Sequence, residues 1–272
     1  MYLNMNSAVE QGVYFSRVLY MVLFVATFLS CRIDEELIPK VFEEHKTLLL
    51  TEYWEEGDLL LQFNFDDTVL IRQVQHQRGG TLDFKLEYNN FNYRPNRMSA
   101  EFNNRILQLQ FDYNSRGQVQ GYTFFVDRYI RYVVRLFYND AGLIYELRKY
   151  WPLNGELVKR HFEWEGGNII RVEQSSNFIE SSNPLIIEFK YDEKNNPFNP
   201  LFELIGFNVI EDMPLTVNNP IEINKYWKKT PNKNELSKIK YAYDRFDFPF
   251  VKEIVTKDSR GVQSTVYGEY RY

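Results

Sequence analysis

The chain carries one thiol, three imidazoles and many carboxylates, and few of them stand at spacings that catalysis or metal binding uses. Cys31 is the only cysteine, at the point where an apolar run (Val18 to Leu29) gives way through Ser30 to the charged stretch RIDEE. A single thiol leaves no intramolecular disulfide, so the fold is held by burial. His45, His76 and His161 lie far apart and show neither HExxH nor paired Cys/His spacing, so no metal site is expected. No GxSxG, GxxxxGK or GxGxxG occurs, which sets aside a serine-hydrolase elbow, a phosphate-cradling loop and a dinucleotide fingerprint; no cofactor is expected.

Carboxylate pairs are the remaining catalytic option. Glu163, Glu165, Glu188 and Asp192 fall on or beside expected strands, where two acids could serve a glycosidase. The acids at repeated positions alternate with Asn89, Asn114 and Asn139, which cannot transfer a proton but make the same turn. No catalytic residue is therefore assigned, and a non-enzyme is the expectation. Three tryptophans offer binding chemistry instead. Trp54, Trp151 and Trp227 each follow a tyrosine and precede a turn. They either line one edge of a sheet and stack on sugar rings, or pack rows between hairpins.

The apolar run of about 12 residues is too short to span a bilayer, which takes roughly 20. With Arg17 before it and Ser30 after it, it reads as the core of a secretory signal. FLSC resembles a bacterial lipobox in the looser form of Bacteroidetes lipoproteins. That resemblance implies removal of residues 1–30 and diacylation of Cys31. Ile33-Asp34-Glu35-Glu36 resembles the acidic export signal of the same lipoproteins, which implies lipid anchoring in the outer membrane at the cell surface, with the periplasmic face as the alternative.

A formal charge of −5 and few clustered cations argue against a nucleic-acid partner. Aromatic residues make up 17% of the chain, mostly Phe and Tyr, which favours sheet. The body of the chain repeats. Aromatic residues followed by an acid or amide occur at Phe65, Tyr88, Tyr113, Tyr138, Trp164, Tyr191 and Tyr243, spaced 23, 25, 25, 26, 27 and 52 apart. Before each pair apolar and polar residues alternate, and after it an Asn or Asp with a following glycine (Gly117, Gly142, Gly167) starts a turn. Each unit is a β-hairpin.

These units resemble the YD repeats of RHS-type proteins, and more closely a group of Bacteroidetes cell-envelope lipoproteins. FKYDEKNNPF at 189–198, VNNP at 217–220 and the C-terminal YAYDRFDFP carry that likeness. The resemblance implies an all-β fold: a curved antiparallel meander of seven or eight hairpins over 50–272, after a signal helix (1–30) and a tether (31–49). A small β-propeller is the alternative. An open meander has two edges, so the last strand (TVYGEYRY) is expected to pair back or recruit a partner. The proline-rich stretch 197–222 breaks the rhythm and is read as an insertion covering one sheet face. Functionally the expectation is a non-catalytic binding or scaffold module for a glycan or an envelope protein. The alternatives are a carbohydrate-active enzyme using a carboxylate pair and a structural RHS-like shell fragment.

Overall fold

The computed structural model describes residues 50–65, 71–76, 82–88, 94–178, 183–198, 216–245 and 247–272. The signal segment, Cys31, the tether and most of the insertion lie outside them. The described residues form sixteen strands: β1 (Glu52–Glu55), β2 (Asp58–Phe65), β3 (Ile71–His76), β4 (Leu82–Tyr88), β5 (Pro95–Phe102), β6 (Arg105–Tyr113), β7 (Val119–Val126), β8 (Tyr129–Tyr138), β9 (Ile144–Trp151), β10 (Glu156–Glu165), β11 (Asn168–Ser176), β12 (Leu185–Asn195), β13 (Asn218–Trp227), β14 (Thr230–Tyr243), β15 (Pro249–Lys257) and β16 (Gln263–Arg271). Every strand pairs antiparallel with its sequence neighbours, giving the expected meander of eight hairpins in one sheet rather than propeller blades.

The sheet also closes. The last strand pairs back onto the first, with Tyr53 opposite Tyr270 and Trp54 opposite Glu269, so both edges of the meander are used up. The repeat carries the device that curls it. A register shift falls immediately before each repeated aromatic: at Asn64/Phe65, Glu87/Tyr88, Asp112/Tyr113, Phe137/Tyr138, Glu163/Trp164, Lys190/Tyr191 and Ala242/Tyr243. An extra residue on one strand bends the strand and increases its twist. One such bulge per hairpin, always at the same end of the sheet, turns a meander into a ring.

After each bulge the expected turn chemistry follows. Asn114 Oδ1 accepts from the amides of Arg116 and Gln118, and Asn139 Oδ1 from Leu143, while Asp244 Oδ1 takes the Phe248 amide. Gly117 and Gly142 close these turns at φ of 72° and 80°, in the left-handed region. This end is here called the bulge rim. The other, the tip rim, is built from short turns such as Asn103-Asn104 and Asp127-Arg128, whose paired positive φ values fit tight two-residue hairpins.

Alternation puts one face of the ring inside. Phe84, Met98, Leu109, Tyr122, Phe124 and Val134 are all buried there, in a core that runs from Leu50 to Tyr270. The outer face is charged across its middle. One cross-strand row reads Glu163, Arg171, Glu188, Asn224, and a neighbouring one reads Lys190, Glu222, Lys238. The interruption expected over 197–222 is shorter in the structure, because Asn218–Trp227 is strand. Its first residues turn inward: Phe198 sits edge-on to Tyr53 (6.1 Å) and Tyr270 (6.0 Å), reaching from the end of β12 to the β1–β16 seam. Residues 199–215 of that insertion lie outside the described residues.

Candidate functional site

The inner wall is buried towards the bulge rim and half-exposed towards the tip rim over the arc from β9 to β14. There a single cross-strand row reads Leu147, Arg160, Gln174, Leu185, Trp227. The next row inward reads Phe162, Val172, Ile187, Lys225, Glu235. Phe162, Val172 and Ile187 belong to the core, which fixes these rows as inward-facing. Arg160, Gln174, Lys225, Trp227 and Glu235 in the same rows keep part of their surface open. This part-exposed, partly polar stretch of the inner wall, here called the mouth, borders the apolar core.

Its groups are held in fixed geometry. Arg160 Nε donates to Gln174 Oε1 at 2.6 Å, and Lys225 Nζ lies 3.7 Å from Glu235 Oε1. Trp151 ends β9 on the same inner face, in contact with Tyr132 (6.0 Å between centroids). The Lys149 ammonium, itself buried, sits 4.2 Å from the Tyr132 ring and 4.8 Å from the Trp151 ring, a cation–π arrangement that holds both aromatics. Aromatic faces beside planar amide, guanidinium and carboxylate groups are the chemistry that sugar rings and hydroxyls take.

The structure therefore separates the three predicted tryptophans. Trp151 and Trp227 face inward at the tip rim. Trp54 pairs with Glu269 on the outer face, its indole N–H donating to Glu52 (2.8 Å) and its ring covered by the Arg271 guanidinium at 4.4 Å. The acids are separated too. Glu163 and Glu188 meet on the outer wall, with Arg171 between them at 3.6 and 3.3 Å, so each is committed to an ion pair. Asp192 takes the amides of Lys194 and Asn219 and the Tyr243 hydroxyl, locking the YDEKNN bulge to the VNNP strand. Glu165 closes β10 at the turn. His161 pairs with Glu146 at 3.3 Å on the outer wall. Among the described residues no group of three His, Cys, Asp or Glu side chains could hold a metal.

Sequence reasoning passed over the mouth's polar residues and a second buried amine. Lys252 faces inward 4.6 Å from the Tyr53 ring. Burial pushes its amine down to about 8, while the Glu55 carboxylate pulls the other way. Lys252 and Glu55 both stand opposite Gly268, which has no side chain to separate them. The signal was available: in each case a charged residue occupies a position in phase with core apolar ones.

No family model and no curated protein sequence matches the chain. Among solved structures it is similar to a porin-like protein from Bacteroides uniformis, at 9% identity and a TM-score of 0.52, over 82% of this chain and 97% of that one. A porin-like protein from Bacteroides vulgatus matches with 12% identity and a TM-score of 0.52, over 83% and 98%. The likeness is one of fold alone. A looser alignment, at 9% identity and a TM-score of 0.31, covers 78% of this chain and 15% of a chain in a TcdB2-TccC3-Cdc42 crystal structure. So low a score carries no argument.

The wall chemistry differs from what a bilayer-spanning barrel requires. Such a barrel carries an apolar band outside and polar residues inside. Here the outer middle carries Arg171, Glu188, Lys190 and Glu222, and the inside carries Tyr122, Phe124 and Val134.

Proposed function

We propose that this chain is a non-catalytic, envelope-attached binding module that holds a glycan segment in the mouth at its tip rim. The observation that carries the reading is the row Arg160–Gln174–Leu185–Trp227, an inward-facing but half-exposed set joining an aromatic ring to planar polar groups. The charged outer wall favours a body that stands in water rather than in lipid. Attachment is then assigned to acyl chains on Cys31, and the likeness of Ile33-Asp34-Glu35-Glu36 to an export signal favours the cell surface over the periplasmic face. Two or three acyl chains make such an anchor durable. The arginine between Glu163 and Glu188 argues against a glycosidase that uses that pair.

The test is titration of the full chain with a polysaccharide panel, read by tryptophan fluorescence. A saturable shift that is lost in Trp227→Ala and weakened in Trp151→Ala, with unchanged melting temperature, supports the reading. A panel without any shift rejects the glycan and leaves an envelope protein as the ligand.

A further inference from the structure

We propose that the tip rim docks on an anionic lipid surface, so that the mouth opens towards the headgroups. Exposed apolar side chains occur elsewhere in the ring too, among them Tyr145, Phe250 and Tyr267, but at this rim four neighbouring hairpins in succession each carry at least one. They are Ile106, Tyr129 with Ile130, Leu153 and Phe178, from the β5–β6, β7–β8, β9–β10 and β11–β12 connections. Tyr129 and Leu153 are each 76% exposed and Phe178 62%.

The supports beneath them are rigid. The Asp127 amide donates to the Ile106 carbonyl (2.8 Å) and Asp127 Oδ1 accepts from the Ile106 amide (2.9 Å), tying one tip to the next. Asn177 does the same for Leu157, accepting its amide at 2.7 Å. The apolar groups are thus presented at little cost in order on binding.

Charge selects the partner. Arg105, Arg128 and Arg131 flank the apolar arc on one side, and Lys228, Lys229 and Lys233 on the other. The tip turns also carry Glu56, Asp58, Asp127, Glu156 and Asp258, with Arg105 3.9 Å from Asp127 and Lys228 3.7 Å from Glu173, so the cations form two local clusters beside the apolar tips. The bulge rim mixes Asp140, Glu165, Glu193, Asp244 and Asp247 with Arg116, Lys194 and Arg245 and, among the described residues, gathers no such clusters. Apolar side chains spread over four separate hairpins suit a fluid surface better than the packed central pockets in which a protein partner's anchor residues seat. A fluid surface closes around each tip, aromatic and aliphatic groups enter the interfacial layer, and flanking cations meet the phosphates.

The inference is independent of the glycan reading, since its test uses vesicles without glycan. In the full chain carrying Cys31→Ser, an environment-sensitive fluorophore is placed at Leu153→Cys, and in a second protein at Phe250→Cys on the bulge rim. With vesicles of phosphatidylcholine plus phosphatidylglycerol the Leu153 label should shift to the blue and be quenched by nitroxide lipid. With phosphatidylcholine alone it should not. Arg105→Gln and Arg131→Gln should each weaken vesicle affinity roughly fivefold. A Leu153 label that stays aqueous on the anionic vesicles, or a Phe250 label that inserts in its place, overturns the proposal.

Discussion

The hydroxyl of Tyr138, at the end of β8, donates to the carbonyl of Val119, the first residue of β7, at 2.6 Å. The same bond recurs around the bulge rim. Tyr113 reaches Pro95 (2.5 Å), Trp164 reaches Ile144 through its indole N–H (2.7 Å), Tyr191 reaches Ile169 (2.6 Å) and Tyr272 reaches Pro249 (2.7 Å). The accepting carbonyls all lie at or beside the first residue of a strand at the bulge rim, where an aromatic with a donor at its far end reaches them. This accounts for Tyr or Trp at 113, 138, 164 and 191, whereas Phe65 has no donor and the Tyr243 hydroxyl goes to Asp192 instead. Burial raises the Tyr138 and Tyr113 hydroxyls far above the ordinary tyrosine range, so they remain donors at any working pH. Tyr138→Phe keeps the ring and loses the bond; it should cost about 1 kcal/mol in denaturant midpoint analysis, and Trp164→Phe a similar amount.

The residue after the aromatic acts through its side-chain oxygen, not its charge. Asn139→Ala should destabilise by about 1 kcal/mol, because the Leu143 amide loses its acceptor. Asn139→Asp should be nearly neutral, since Asp244 and Asp258 make the same turns at Phe248 and Val262. Chemical denaturation of the two variants distinguishes this role from an acid–base one.

Closure depends on a glycine. A Cβ added at Gly268 would stand 2.9 Å from both Lys252 Cε and the Tyr53 hydroxyl. Gly268→Ala should therefore destabilise by about 1–3 kcal/mol. Hydrogen exchange should speed first in β1 and β16, where the seam is shortest, and not in β6 to β9.

Lys252 makes stability depend on pH. Its amine titrates near 8 in the folded chain, below the ordinary lysine value of 10.5. Between those values the unfolded chain binds the extra proton, so stability from this group rises with pH; below about 8 its full penalty is present. Lys252→Met removes the penalty. The stability of the variant relative to the parent should fall by roughly 3 kcal/mol as pH rises from 7 to about 10.5, measured by urea unfolding at each pH.

Much of the fold was legible because hairpins write their chemistry locally. Alternation, Asn or Asp, and glycine name strand and turn within about ten residues. The bulge was not legible, since its one-residue break in the alternation falls at a strand end, where a turn breaks the alternation too, and closure is a pairing between residues about 215 apart in the chain. The tryptophans show the consequence. Tyr150-Trp151 and Tyr226-Trp227 put the indole inside, whereas Tyr53-Trp54 puts the tyrosine inside, so a one-residue offset moved Trp54 to the other face. Arg160 and Gln174 stand in phase with Phe162 and Val172, so a polar residue on the core phase was visible in the sequence, but that the two meet across strands follows only from the register.

The central claim is that this ring carries its apolar face inside and its charged face in water, and adjacent residues on β8 test it. Val134 is buried, and Arg135 faces outward, paired with Asp112 at 2.7 Å. In the full chain carrying Cys31→Ser and mixed with lipid vesicles, single cysteines at Val134→Cys and Arg135→Cys would be exposed to a water-soluble maleimide. The account predicts rapid labelling at 135 and none at 134. Labelling at 134 with silence at 135, the pattern of a bilayer-spanning pore, would contradict it.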